Sequence, residues 1–474
     1  MLRASFLLAL PLLVSGVAEA APGPPQGPKT IRLAPQASKQ DRDLRYRLLP
    51  GPEDLVTGNA APLWRLAGDA YRDNPKKMTI GERDRFLENK MSPKEMSEVL
   101  ARHEAALRLA RQAACRTRCD WEFPPLTIQS LPDSLHLRMI QTFREFVIVL
   151  MMQCRLRMTE GRFEEAAESL QTGLALARHL CDGDMVLHNL VGVAIAHIML
   201  GKVEEWIQTP GSPNLYWALT DLPRPFGNLR HAVEYELGTY YRSFPALRRL
   251  RRETLTTSQA EDLAKEVFGT LSKLLADKPK EAEQARKLGE SIRKAEHYPE
   301  ARKYLLDAGR TTKEIDALPR VQVVLLWHLE RYDRTADRVL KGLIVPSWQA
   351  RPLLDAAKQE LQAEGENSNF LTVLLMPVFY KTSIANARLE RTIAGLRCAE
   401  ALRGYAAAHE GKSPAKWSDI TALPPPLDSF TGKGFDEFYH VTEGRGVLEI
   451  PPPPPPENIA SLARRYVLTP AKEH

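Results

Sequence analysis

Five cysteines in 474 residues are few for a chain destined for an oxidising compartment, and an odd number leaves at least one thiol unpaired. Cys115 and Cys119 stand four apart in what reads as a helical stretch. Their Cα atoms would lie about 6 Å apart, within disulfide reach but with the side chains poorly aimed. Only Arg116, Thr117, Arg118 and Asp120 surround them, too little to complete a metal site, so the reading is buried or unpaired thiols. The recognisable catalytic signatures are missing as well. No G-x-S-x-G elbow, H-E-x-x-H pair, phosphate-binding P-loop, G-x-G-x-x-G turn or EF-hand loop occurs. That removes the motif-borne chemistries, but not a site assembled from distant residues. Charge of one sign is lacking too. Sixty-five Lys and Arg against 59 Asp and Glu leave +6 spread along the chain, which argues against a polyanion surface, and nucleic acid is not expected as a partner. Leu371 to Phe379 is apolar but too short to span a bilayer and contains Pro377.

What is present is ordinary for a soluble globular chain of two or three domains: 43% apolar and 26% charged residues, with 36 prolines concentrated in a few blocks. Residues 1–20 read as an export signal, with Arg3, an apolar core from Ala4 to Val14, and the small-x-small site Ala18-Glu19-Ala20. No cysteine follows it and no twin-arginine pair precedes it. The expectation is an exported protein of the periplasm, cell envelope or exterior, with no stable membrane insertion after cleavage. Residues 21–59, with their Ala-Pro-Gly-Pro-Pro start, read as a flexible lead-in.

Residues 60–225 read as a helical-repeat domain. Ser92-Pro93-Lys94-Glu95 carries a capping box and a first-turn proline, from which a helix is expected to run through Val99, Leu107 and Leu109 to the cysteines, with Pro124-Pro125 stopping the segment. Phe143 to Met158 is apolar nearly all round, and Phe163, Ala166, Leu170, Leu174 and Ala177 form one face at helical spacing. Val186 to Trp206 is again apolar on most sides. Gly161-Arg162-Phe163-Glu164-Glu165-Ala166 is echoed forty residues on by Gly201-Lys202-Val203-Glu204-Glu205-Trp206. Each predicts a helix restarted after a glycine break, the signature of stacked helix pairs.

Thr209 to Pro213 and Leu222-Pro223-Arg224-Pro225 mark breaks. Residues 226–365 read as a second helical block, in which Tyr298, Ala301 and Leu305 repeat the aromatic-x-x-small spacing, Val321 to Trp327 is buried, and Pro346 and Pro352 bracket a loop. A linker at 364–369 leads to a terminal domain over 370–474. There a helix from Lys381 to about His409 precedes three short strands, Phe438 to Val441, Gly446 to Ile450 and Arg465 to Leu468, with the prolines 451–456 between the last two. The fold class expected is mainly α: an irregular helical-repeat body with a small C-terminal α+β domain.

His179, Asp182, Asp184, His188 and His197 are the nearest approach to a constellation, readable as a metal site or, more simply, as an interhelix turn in which Asp184 caps the next helix and the histidines pack. Arg242, Arg248, Arg249, Arg251 and Arg252 form a basic cluster on a helix, read as a solvated face or as a contact for an anionic lipid or wall polymer. Trp206, Tyr216, Trp217 and Phe226 flank helix breaks and read as packing. No catalytic, cofactor-binding or metal-ligating residue and no cofactor is assigned.

The Gly161-x-Phe163-x-x-Ala166 core with Leu170 resembles the second helix of a tetratricopeptide repeat, with Arg157 where that family places an aromatic residue. More broadly, the phrases GNAAPLW, CDWEF, EGRFEEAAESLQTGLALARHL, PGSPNLYWALTDLPRPF and the RYD…VPSWQARP segment resemble a family of uncharacterised secreted proteins of planctomycete bacteria. The tail, ALRGYAAAHEGKSPAKWSDI followed by PPPLDSFTGKGFDEFY, is similar to the globular part of type II secretion pseudopilins, with Ser429 and Gly434 where proline is usual. The helix-pair echo and the absence of catalytic motifs point to a non-enzymatic interaction scaffold of the cell envelope with an unknown protein partner, and the resemblances imply a shared architecture without an activity. The alternatives are a component of an export or surface-assembly machine and, third, a metal-dependent hydrolase.

Overall fold

A computed structural model describes residues 28–37, 43–123, 134–276, 279–363, 370–453 and 462–469. The expected export signal, Pro124-Pro125, the 364–369 linker and the prolines 454–456 lie outside the described residues. The described chain is mainly helical with a small mixed sheet.

The capping box forms as the sequence predicts: Ser92 Oγ accepts from Glu95 N–H and the Glu95 carboxylate returns to Ser92 N–H, opening helix Pro93–Arg102. That helix stops short of the cysteines. His103 leaves helical geometry, and a second helix, Glu104–Ala114, follows at a new angle. Cys115 caps that helix, Arg116–Arg118 (β3) is a short strand pairing with Val56–Asn59 (β2), and Cys119 lies beyond it. The two thiols are thus not on one helix, and both are free.

Helices Ser134–Thr159, Phe163–Cys181 and Val186–Gln208 pack side by side as the centre of the molecule. The break before Phe163 is a Schellman turn. Gly161 takes φ +71°, Arg162 N–H donates to Arg157 O at 2.8 Å, and Gly161 N–H donates to Met158 O at 3.0 Å. Its echo behaves differently: Gly201 lies inside the continuous helix Val186–Gln208 and breaks nothing. The apolar surroundings of that helix hold it helical past a glycine whose propensity cost is about 1 kcal/mol. Close approach to the preceding helix is set by Gly192, where a Cβ would stand 2.4 Å from Ala177 O. Val186–Gln208 is long and apolar enough to cross a membrane, yet 83% of its most apolar window is buried inside the protein.

Residues 226–363 add hairpins and long helices, among them Thr257–Leu274 against Pro279–Arg293 and Arg320–Ile344 against Ser347–Ala363. Pro352 sits inside the last of these instead of bounding a loop. Helix Phe370–Ala408 begins before the expected Lys381, because the apolar 371–379 run continues it. It lies across Val186–Gln208 and under the sheet.

The three expected strands appear as β4 (Tyr439–Thr442), β5 (Arg445–Ile450) and β6 (Arg464–Leu468). A fourth, β1, is Lys29–Leu33, inside the segment expected to be a flexible lead-in. The sheet order is β1-β6-β5-β4, with β1 parallel to β6 and the other pairs antiparallel. Ile31 and Leu33 alternate inward with Tyr466, Leu468, Leu448 and Ile450, and this two-residue period is what orders the strand. The main apolar cluster includes residues from Ile31 to Leu468, with a small second one of Ile384, Ala387 and Phe430 beside it.

Gly161→Ala and Gly201→Ala are expected to move stability in opposite directions, since an added Cβ meets nothing within 4 Å at either site. The left-handed backbone at 161 costs an alanine about 1 kcal/mol, whereas helix propensity at 201 returns up to about 1 kcal/mol. Urea midpoints of the two variants check this. Equal signs would contradict the two local structures.

Candidate functional site: a helix-walled cleft

The consecutive helices Pro93–Arg102 and Glu104–Ala114 lie against Ser134–Thr159 and Phe163–Cys181 respectively. Between them lies a cleft of about 410 Å³. Its apolar floor includes Leu100, Leu107 and Leu156, and its walls carry Arg108, Arg111, Arg157, Glu104, Gln153 and Glu168.

Several wall groups are held before any ligand arrives. Arg157 Nη1 donates to Glu165 O at 2.7 Å and to Ser169 Oγ at 3.0 Å, and Ser169 Oγ donates in turn to Gln153 Oε1 at 3.1 Å. Burial pulls the Arg157 guanidinium below its usual range, against the opposing pull of Glu165 and Glu168. Arg111 Nη1 donates to Gln171 Oε1 at 2.7 Å. Arg162, at the rim, is clamped by Glu160 and Glu165. The side chains of Arg108, Glu104 and Glu168 make no hydrogen bond or ion pair with described residues. The cleft therefore offers fixed donors, free acceptors and one free guanidinium, with no large excess of charge. Such walls suit the N–H and C=O groups of an extended peptide better than a single ion.

The residues singled out by sequence lie elsewhere. Trp64 Nε1 donates to His179 Nδ1 at 2.9 Å, so that ring acts as a neutral acceptor. His188 is buried and stacks on Phe123 with ring centroids 4.8 Å apart. Asp182 accepts from Asn228 N–H, and Asp184 pairs with His231 Nε2 at 2.9 Å. Asp184 does not cap the next helix. The first N–H of that helix, from Val186, goes instead to Glu236 Oε1 at 2.8 Å. Among the described residues no three His, Cys, Asp or Glu side chains gather as a metal site.

Of the arginine cluster, Arg248, Arg249 and Arg251 lie on the 3-10 turn Pro245–Arg251, Arg242 on the preceding helix Leu229–Ser243 and Arg252 just after the turn, and three of the five have partners. Arg251 meets Glu330 and Asp333, Arg249 meets Glu253, and the Arg242 guanidinium stands 4.1 Å from the Tyr235 ring centre. Trp206, Tyr216 and Phe226 are buried as packing residues, Trp206 with its Nε1 on Pro213 O at 2.8 Å. Arg157 is the one cleft residue that the sequence marked, as a departure from a repeat pattern. Glu104, Arg108 and Arg111 were overlooked, although their i, i+4, i+7 spacing places three charged groups on one helix face. Comparison with family models, with curated proteins and with solved structures yields no match.

Burial lowers His103, His179 and His197 to about 4, with Arg102, Arg178 and Arg464 respectively adding to the shift. His103 Nε2 also accepts from Met78 N–H, a bond that protonation would break. A histidine depressed in the folded state leaves the unfolded chain binding the extra protons, so stability is whole above about 6.5 and is lost towards about 4. The urea midpoint is expected to fall through that window on acidification. A flat profile would contradict the buried, neutral rings.

Proposed function

We propose that this chain is a non-enzymatic scaffold that holds an extended segment of another protein in the cleft between its stacked, tetratricopeptide-like helix pairs. The observation that carries the reading is the pre-set hydrogen-bonding wall around Arg157 facing unpartnered Glu104, Arg108 and Glu168 across an apolar floor. Arg157, where a tetratricopeptide repeat has an aromatic residue, supplies the polarity of the wall and replaces that family's packing contact. The scaffold reading is preferred over a hydrolase because His179 is taken up by Trp64 and His188 by Phe123, and among the described residues no metal-ligand cluster gathers around them. The cell envelope is the setting that the N-terminal sequence suggests.

A second reading, association with an export or surface-assembly machine, draws on the long helix Phe370–Ala408 lying under a small sheet. Truncation would not isolate that reading, because β1 pairs with β6 and removal of 370–474 would strip β1 of its neighbour.

The test is capture of a partner from the envelope fraction by the full chain, compared with Arg108→Glu and Glu168→Arg. The Arg108 side chain is unpaired among described residues, so its reversal should change stability by less than about 0.5 kcal/mol, while Glu168 supports the charge on Arg157 and the urea midpoint of its variant is measured alongside. A partner retained by the parent and lost from both variants is the expected result. Equal retention by all three, or turnover of an ester or phosphoester substrate by the purified chain, would overturn the proposal.

A further inference from the structure

The sheet has two faces of different character. One lies on helix Phe370–Ala408, with Leu448, Ile450, Tyr466 and Leu468 buried against it. The other carries a second cleft, of about 360 Å³, whose described lining comes entirely from β1, β4, β5, β6 and the residues adjoining them.

The strand registers fix what stands on this face. Val447 is opposite Val467, and Val467 is opposite Arg32. In the next row Glu449 is opposite Arg465, and Arg465 is opposite Thr30. Arg445 lies two residues before Val447 and therefore points to the same side. Three guanidinium groups thus surround a floor of two valines, and Val447 is only 2% exposed. A floor of that kind lowers the local dielectric and strengthens any charge interaction above it.

Two of the three arginines are under-matched. The Arg465 side chain makes no hydrogen bond or ion pair with a described residue, although its Nε is shut off from solvent. Arg32 is exposed and likewise has no described partner, while Arg445 is already engaged. Glu443 at the margin and Glu449 beside Arg465 pair with neither Arg32 nor Arg465. A buried guanidinium nitrogen without an acceptor is costly, and a bound oxyanion removes that cost.

We infer that this face of the sheet is a binding site for a tetrahedral oxyanion, the phosphate or sulfate ester group of a ligand, held by Arg32, Arg445 and Arg465. A carboxylate offers two oxygens in one plane, which two groups on one side of it can fill, and it carries a single negative charge. A phosphate or sulfate group spreads its charge over enough oxygens to accept from all three. The site is separate from the helix-walled cleft and does not depend on the function proposed for it.

Calorimetric titration of the full chain with inorganic phosphate, inorganic sulfate and acetate tests the assignment. Phosphate and sulfate should bind, acetate more weakly. Arg465→Gln should weaken phosphate by roughly ten-fold or more, the equivalent of one charge-assisted hydrogen bond. Arg32→Gln, at an exposed position where folding is not at stake, should weaken it in the same direction, and Arg248→Gln, outside the sheet, should not. Absence of phosphate binding, acetate binding as tight as phosphate, or phosphate binding by the Arg32 and Arg465 variants as tight as the parent's would overturn the site. Sedimentation with phosphatidic acid vesicles separates the sources. Arg465-dependent co-sedimentation identifies a lipid headgroup, and phosphate binding without it identifies a soluble ester.

Discussion

A buried ion pair, Glu400 with Arg403, fastens three distant parts of the chain to one another. The two residues are fully buried, at 0% and 1% exposure, where an isolated charge would be prohibitively expensive. Burial pushes the Glu400 carboxyl up, and Arg403 and the Leu215 N–H oppose that push. The geometry satisfies nearly every valence. Arg403 Nη1 spans both carboxylate oxygens at 3.0 and 2.8 Å, its Nη2 reaches Ser212 O and Oγ, and its Nε reaches Ala34 O. Glu400 also accepts from Leu215 N–H at 3.0 Å, and Asn214 bridges Gln36 O and Glu400 O. The residues after β1, the turn after helix Val186–Gln208 and the long terminal helix are therefore positioned by one pair. The sheet, with both of its faces, takes its place on the helical body from there.

A second set of charges repeats this logic nearby. Glu204, almost fully buried, binds Lys29 Nζ at 2.5 Å and Arg464 Nε at 2.8 Å, joining the central helix to β1 and β6. Burial raises that carboxyl, but Arg464 and Lys29 outweigh it and hold the group below its ordinary value. Glu205 beside it takes Arg155 and Lys202. The two glycine-led hexapeptides thus resemble each other in letters and differ in purpose. Glu164 and Glu165 of the first lie at the surface, where they meet Arg45 and Arg162. In the second, Glu204 is turned inward and Glu205, partly exposed, joins Arg155 and Lys202, so that the pair ties elements together.

Much of the local structure was legible because its causes are local. The Ser92 capping box, the Gly161 turn, the apolar face of Phe163–Cys181 and the three C-terminal strands each follow from residues within a few positions of one another. The misreadings have a common cause. Lys29–Leu33 becomes a strand only because Arg464–Leu468 lies alongside it, and Gly201 stays helical only because its neighbours are packed on most sides. Pro352 is likewise carried within a helix whose surroundings outweigh its own preference. The site was less legible still. Arg157 stood out as an exception to a pattern, whereas the arginines of the sheet face fall on three strands, and no spacing along the chain brings them together.

The parallel pairing of β1 with β6 also has a consequence for the order of assembly. Strand β1 is made early during synthesis and its neighbour β6 late, so Ile31 and Leu33 wait for their cover until nearly all the described chain has been made. Contacts of such long sequence separation form slowly from an open chain. Here the intervening helices, once folded, shorten the span that must be closed. The sheet is then the final clasp on a body already built, and until it closes an apolar strand stands open to whatever else would pair with it.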